Sequence, residues 1–339
     1  MKRSNPRDMQ RVLRSFSCFA TLSLVSVWLL LPTYLASKPV VFATDIGGDV
    51  DDTWALAHIL RSKELDLKMV LTETGEAEYR ARVAAKVLQV AKREDVTVAL
   101  GEDFGIMPDS ERHQGPWVKN YKLSDYNGPI EQDGVRAFID FVESSEETVT
   151  VIAVGPVPSL AAAIEQRPEI AKKCDFFGMF GSFYLGYDGS KEISAEYNVA
   201  NNVEAFRTVI GAYWRSITLT PLDTCGIFFL SGEEYQEIWQ ATSDPLLNAV
   251  IENYCIWAPR VPWIHCDFFT QKSSTLFDDV AVYMAYDGSL LNYETLHFNV
   301  SEEGKTLVDL NGKYHAQVAS SWKNIKAFES FLTDRLLGN

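Results

Sequence analysis

Apolar, β-branched runs recur along this chain with helix-length stretches between several of them: PVVFATD, LDLKMVLTE, DVTVALG, ETVTVIAVG, FFGMFG and SITLTPLD. Strands separated by helices cannot join as tight hairpins. Each crosses over to a parallel neighbour, which predicts an α/β fold: a mostly parallel (mixed), Rossmann-like sheet flanked by helices. EYRARVAAKVLQVAKRE sets Val83, Val87, Leu88 and Val90 with the alanines on one side and Arg80, Arg82, Lys86 and Lys92 largely elsewhere, the pattern of a surface helix over a sheet. DGVRAFIDFVESS, VPSLAAAIEQRPEIAKK, NVEAFRTVIGAYW, EEYQEIWQ, PLLNAVIENYCIWA, STLFDDVAVYMAY and SWKNIKAFESFLTDRLL predict further helices. No repeat, low-complexity tract or linker intervenes, so residues 38–339 read as one domain.

Residues 1–37 differ from the rest. Lys2, Arg3, Arg7, Arg11 and Arg14 precede the apolar run FSCFATLSLVSVWLLL, as in a signal peptide or signal anchor. The run is short for a spanning helix, and cleavage near Ala36 or Ser37 is the expectation, giving a secreted or otherwise extracytoplasmic protein. Membrane association follows only if the segment stays as an uncleaved anchor. The formal charge is −15 with 46 acidic against 31 basic residues, which speaks against nucleic acid as a partner. Beyond the leader stand Cys174, Cys225, Cys255 and Cys266 without zinc-type spacing, although an oxidising compartment would permit a pair. NVS at residues 299–301 fits a glycosylation acceptor pattern that also arises by chance.

ATDIGGDVDDTWALAHIL crowds Asp45, Asp49, Asp51 and Asp52 into the turn between the first apolar run and a helix. Like charges a few Å apart raise one another's pKa unless a cation or hydrogen-bond donors offset them. Helix capping accounts for one or two of these carboxylates, not four. Oxygen ligands with no His or Cys beside them suit Ca²⁺ or Mg²⁺, and a flexible multi-carboxylate site suits Ca²⁺ better; the spacing does not match an EF-hand loop. The carboxyl end of a strand is also where open α/β sheets bind ligands. Residues 102–132 break the strand–helix rhythm, and a loop that long serves more often as a lid or site wall.

ATDIGGDVDDTWAL resembles the N-terminal metal motif of the inosine-uridine preferring nucleoside hydrolase family, usually Asp-Pro-Gly-x-Asp-Asp after a strand. TVIAVGPVPSLAAAIEQRPEIAKK, FGMFGSF, AEYNVANNVEAF, SSTLFDDVAVY and GKTLVDL are similar, in order, to later segments of that family. The resemblance implies one Ca²⁺ held by Asp45, Asp52, the Val154 carbonyl and Asp278, which then binds the two ribose hydroxyls and a water. It makes Asp51 the base, and Glu196 and Asn198 ribose contacts. The implied substrate is a small-molecule nucleoside, and a homo-oligomer is possible.

Four positions depart from the family pattern. The interval from Asp45 to Asp51 is two residues longer, and for Asp49 three roles stay open: a further metal ligand, the base in place of Asp51, or a solvated side chain. Phe277 stands where many members carry a histidine that protonates the leaving base. Glu76 follows Gly75 where an Asn near the sugar is usual, and Ser190 sits near another such Asn site. For the base end, Trp117, Trp257 and Trp263 are candidate stacking residues and His113 and His265 candidate acids, each with core packing or surface placement as the plainer alternative.

The leading expectation is therefore a calcium-dependent hydrolase of the N-glycosidic bond of ribonucleosides, releasing ribose and base. A nucleoside- or riboside-binding protein of the same fold with impaired catalysis is the alternative, suggested by Phe277 and Glu76. A Mg²⁺ phosphohydrolase would want a basic phosphate cradle beside the cluster, and DIGGDVDDTW has none.

Overall fold

The structure is a computed structural model that describes residues 37–261 and 271–339. The leader expected in residues 1–37, save its last residue, and Trp263, His265 and Cys266 lie outside the described residues. Along the chain run β1 (Lys38–Thr44), α1 (Asp51–Arg61), β2 (Leu65–Thr72), α2 (Ala77–Val90), β3 (Thr97–Ala99), β4 (Ile130–Glu131), α3 (Gly134–Ser144), β5 (Val149–Ala153), α4 (Pro158–Gln166) and β6 (Cys174–Met179). There follow α5 (Tyr197–Asn201), α6 (Val203–Ile210), β7 (Ser216–Thr220), α7 (Gly232–Gln240), α8 (Pro245–Trp257), α9 (Phe277–Tyr286), β8 (Leu291–Val300), β9 (Thr306–Val308), β10 (Tyr314–Trp322) and α10 (Ile325–Leu337). Among the described residues no helix is long and apolar enough to cross a membrane.

The strands form one sheet in the order β4-β3-β2-β1-β5-β6-β7-β10-β8-β9. From β4 to β10 neighbours run parallel; β8 is antiparallel to β10, and β9 to β8. Successive residues of β1 point to opposite faces: Val40 and Phe42 enter the core under α1, α2, α8, α9 and α10, while Val41 and Ala43 enter the core under α3, α4 and α6. Burial of both faces explains why the parallel strands read as continuous apolar runs. β8 and β10 read less clearly because polar Asn292, Glu294 and Thr295, or His315 and Gln317, interrupt their buried residues.

The chain winds outward from β1 in two directions, to β2, β3 and β4 on one side and to β5, β6 and β7 on the other. The loops after β1 and β5 therefore diverge at the sheet's carboxyl edge and leave a crevice between them, the place where such sheets take ligands. Cys174, Cys225 and Cys255 are free. Asn299, of the NVS pattern, donates its amide to Asp309 at 3.0 Å and accepts from the Lys313 N–H at 3.0 Å.

Candidate metal centre and active site

The turn out of β1 is made by Gly47, at φ +105°, and the Tyr79 hydroxyl donates to its carbonyl at 2.8 Å. A Cβ there would meet the Tyr79 ring at 2.8 Å, so both the backbone angle and the close approach require glycine. α1 then begins with Asp51 and Asp52 in its first turn, behind an N-cap, Val50, that offers no side-chain cap. α9 begins the same way, with Asp278 and Asp279 behind an uncapping Leu276. Several other helices are capped by a side chain: Asp133, Asn202, Asp244 and Asn324 accept from the first backbone N–H groups of α3, α6, α8 and α10, whereas α2, α4 and α7, like α1 and α9, have no such cap. The acids of α1 and α9 are thus not spent as caps. They sit at two positive helix ends, which favour their charge.

Asp51, Asp52 and Asp278 are buried and each brings one carboxylate oxygen within 4.8 Å of the other two. Burial first, then the neighbouring acids, push the proton affinities of Asp51 and Asp278 well above the carboxylate range. Asp52 is raised for the same reasons, partly countered by the Thr44 hydroxyl that donates to it. Three clustered acids, two raised without any such donor and one only partly countered, fit a divalent cation, whose charge would let all three ionise.

Asp45 is not a member of that triangle. Burial raises its pKa, and the Arg80 guanidinium, 3.7 Å away, opposes the rise. Arg80 also donates to the carbonyls of Thr74 at 2.6 Å and Ile46 at 3.1 Å, and is only 3% exposed. The helical pattern placed Arg80 away from the buried side of its helix. It is instead drawn inward because the acidic turn and those carbonyls consume its charge and donors. On the far side of Asp45, Gly155 approaches so closely that a Cβ would lie 2.7 Å from Asp45 Oδ1.

Asp49 is also outside the triangle, half-buried, with Oδ1 accepting from the Val50 N–H at 2.6 Å; burial lifts it to about 6. Val154 follows β5 beside Asp45's turn, its N–H donating to the Ala43 carbonyl at 2.9 Å. Asn198 Nδ2 donates to the Val154 carbonyl at 3.2 Å and to the Met179 carbonyl at 3.0 Å. Glu196 is buried as the N-cap of α5, accepting from Asn198 and Val199 N–H groups at 2.7 and 3.2 Å and from Gly181 at 3.0 Å. Burial outweighs those bonds and holds it at about 7.

Glu76 is pinned by the long loop: its Oε2 accepts from the Met107 N–H at 3.0 Å and pairs with Arg112. The loop is a wall of the crevice. His113 Nδ1 meets the Gly48 carbonyl at 3.0 Å, and the Gln114 amide reaches Thr53 at 3.0 Å. Trp257 corrects the expectation of a stacking residue, since it is 1% exposed and stacked on Tyr254 in the core. Trp117 is likewise packed, its indole donating to Glu252 at 3.2 Å under Lys86. Phe277 lies half-buried with its ring edge-on to Tyr187, centroids 6.2 Å apart.

Thr44 and Glu73 went unread in the sequence, and Arg80 was read only as a residue of the exposed side of its helix. Glu73, at the end of β2, is buried and accepts from the Ser159 and Leu160 N–H groups of α4 at 2.7 and 3.1 Å, and burial pushes it up to about 8. Nothing local distinguishes such a carboxylate from a solvated one, because its partners are remote in sequence.

The chain is 27% identical over 177 residues to a probable uridine nucleosidase of Arabidopsis thaliana, covering 50% of this chain and 54% of that protein. A non-specific ribonucleoside hydrolase of Escherichia fergusonii is 27% identical over 174 residues, 49% of this chain and 56% of its own length. The chain thus spans about half the length of these curated relatives it matches. In fold it is similar to a purine-preferring ribonucleoside hydrolase from Gardnerella vaginalis, with a TM-score of 0.72 and 21% identity over 89% of this chain and 98% of the other. Residues 40–337 match the sequence profile of one family over nearly the whole described chain, and the protein belongs to it: the inosine-uridine preferring nucleoside hydrolases.

Proposed function

We propose that this protein is a calcium-dependent hydrolase of the N-glycosidic bond of ribonucleosides, exported by its basic and apolar N-terminal segment. The observation that carries the reading is the buried triangle of Asp51, Asp52 and Asp278 at the point where the sheet reverses its winding. Both curated relatives cited above are named for nucleoside cleavage. Asp52 and Asp278, with Asp45 and the Val154 carbonyl behind them, would hold the ion, and its oxygen-only surroundings suit Ca²⁺. Bound there, calcium would supply positive charge to orient the ribose diol and make water more acidic.

The chain's own groups do the rest. Asp51, whose affinity for a proton is high, takes the proton of the attacking water. Glu196 and Asn198, fixed by their backbone bonds, face the sugar and hold it for an oxocarbenium-like transition state. Direct attack by water on the anomeric carbon inverts it. Phe277 has no proton to give the departing base. His113, whose Nδ1 meets the Gly48 carbonyl of the acidic turn at 3.0 Å, is the candidate acid among the described residues.

Ribose release from inosine and uridine, measured with calcium and after chelation, tests the reading. Calcium-dependent turnover supports it. A protein that binds nucleoside and calcium without turnover is instead the impaired binding protein, a reading favoured by Phe277 against Tyr187 and by the capture of Glu76 by Arg112.

A further inference from the structure

His58 is fully buried, yet both of its ring nitrogens are engaged: Nδ1 with Asp279 Oδ1 at 3.1 Å and Nε2 with the Tyr286 hydroxyl at 2.8 Å. One neutral tautomer satisfies both contacts, donating from Nδ1 to the carboxylate and accepting the tyrosine proton at Nε2. Asp279 and Tyr286 lie on α9, about two helical turns or roughly 10 Å apart on the same face. His58 itself lies about two turns along α1 from Asp51 and on the same face. One imidazole on α1 therefore joins two points of α9 that lie about two turns apart.

The ends of these helices carry the acid triangle. Asp51 and Asp52 come from the first turn of α1 and Asp278 from the first turn of α9. Asp278 and Asp279 point about 100° apart around the helix, so one faces the triangle while the other faces α1. Anchoring Asp279 therefore sets where Asp278 stands. The Tyr286 end is braced in turn by the Arg335 guanidinium, which lies over its ring at 5.1 Å.

We propose that His58 is a positioning residue of the metal centre: by gripping Asp279 and Tyr286 it fixes the placement of α9 against α1 and thereby the separation of Asp278 from Asp51 and Asp52. This rests on the reading of the triangle as a metal site. It requires no nucleoside to test, because the quantity at stake is the site's affinity for the ion.

The experiment is calorimetric titration of calcium into the metal-free full chain, without substrate, alongside thermal unfolding of the metal-free forms. His58→Phe fills the space without either bond and should weaken calcium binding at least tenfold. His58→Asn, which keeps a donor near the Nδ1 position, should recover much of that loss, and Tyr286→Phe should weaken binding about threefold or more. A merely structural role would lower the melting temperature of the metal-free protein and leave calcium affinity unchanged across the series. His58→Phe binding calcium within twofold of the parent overturns the proposal. If His58→Phe does not fold, Tyr286→Phe decides, and unchanged affinity in that variant overturns it. Failure of the parent to bind any divalent ion is a different result, removing the metal site itself and the proposal with it.

Discussion

Asp51 stands in the first turn of α1 with its proton affinity raised by burial first and then by Asp49, Asp52 and Asp45. If it serves as the proposed base, its amide variant should lose most: Asp51→Asn is expected to lower ribose release about 10²- to 10⁴-fold, the usual worth of a positioned base. Steady-state kinetics at saturating calcium checks this. Glu73 allows a prediction about stability. Both its oxygens accept backbone N–H groups of α4, so Glu73→Gln sets an amide NH₂ against a donor. A cost of about 1–3 kcal/mol in urea unfolding is expected. Of these two residues the sequence showed the first plainly, since acids crowded after a strand leave a local signature. Glu73 and the inward turn of Arg80 were illegible because their partners, Ser159 on α4 and the backbone of the β1 turn, are met only after folding.

At the scale of elements, two helices bring first-turn acids behind uncapped N-termini to one point. Helix propensity does not dictate that convergence; it comes from the packing that sets the starts of α1 and α9 side by side. The β1 turn holds the arrangement through Gly47. Gly47→Ala would place a Cβ 2.8 Å from the Tyr79 ring at a φ that L-residues avoid. The substitution is expected to cost about 1–3 kcal/mol. It should also weaken calcium binding, and calorimetric titration with thermal unfolding reads both effects. The parallel strands and most helices were legible from apolar runs buried on two faces. β8 and β10 were not, because polar residues that reach solvent dilute their pattern. Trp257 could not be assigned from sequence because an aromatic residue in a helix looks the same whether it lines a cleft or packs on Tyr254.

Over the whole molecule, carboxylates held above their ordinary values make stability depend on pH and on metal. Asp49, Glu196 and Glu73 stand at about 6, 7 and 8, all raised chiefly by burial. The unfolded chain releases these protons near pH 4, whereas the folded chain keeps them longer. Their contribution is therefore complete below about pH 4 and is lost as pH rises through the folded values. Melting curves of the chelated protein should fall steadily from about pH 5 to about pH 8. Calcium should oppose that fall most at the upper end, where its ligands ionise readily, and add about 2.7 kcal/mol when present at a hundred times its dissociation constant. Equal melting temperatures with and without calcium at pH 8 would contradict a folded-state metal site.

Local patterning alone determined the α/β architecture, the acidic turn after β1 and the resemblance that named the family. Runs of buried strand, alternating helix and adjacent like charges are properties of short windows, and short windows are what a sequence displays. Only the tertiary structure decided that Asp51 joins Asp52 and Asp278 while Asp45 turns to Arg80, that Glu76 is claimed by Arg112, and that His58 reaches across to Asp279. Those choices set a charge against whichever partner the packed helices bring within a few Å. That distance does not exist until the sheet has wound outward from β1 in both directions.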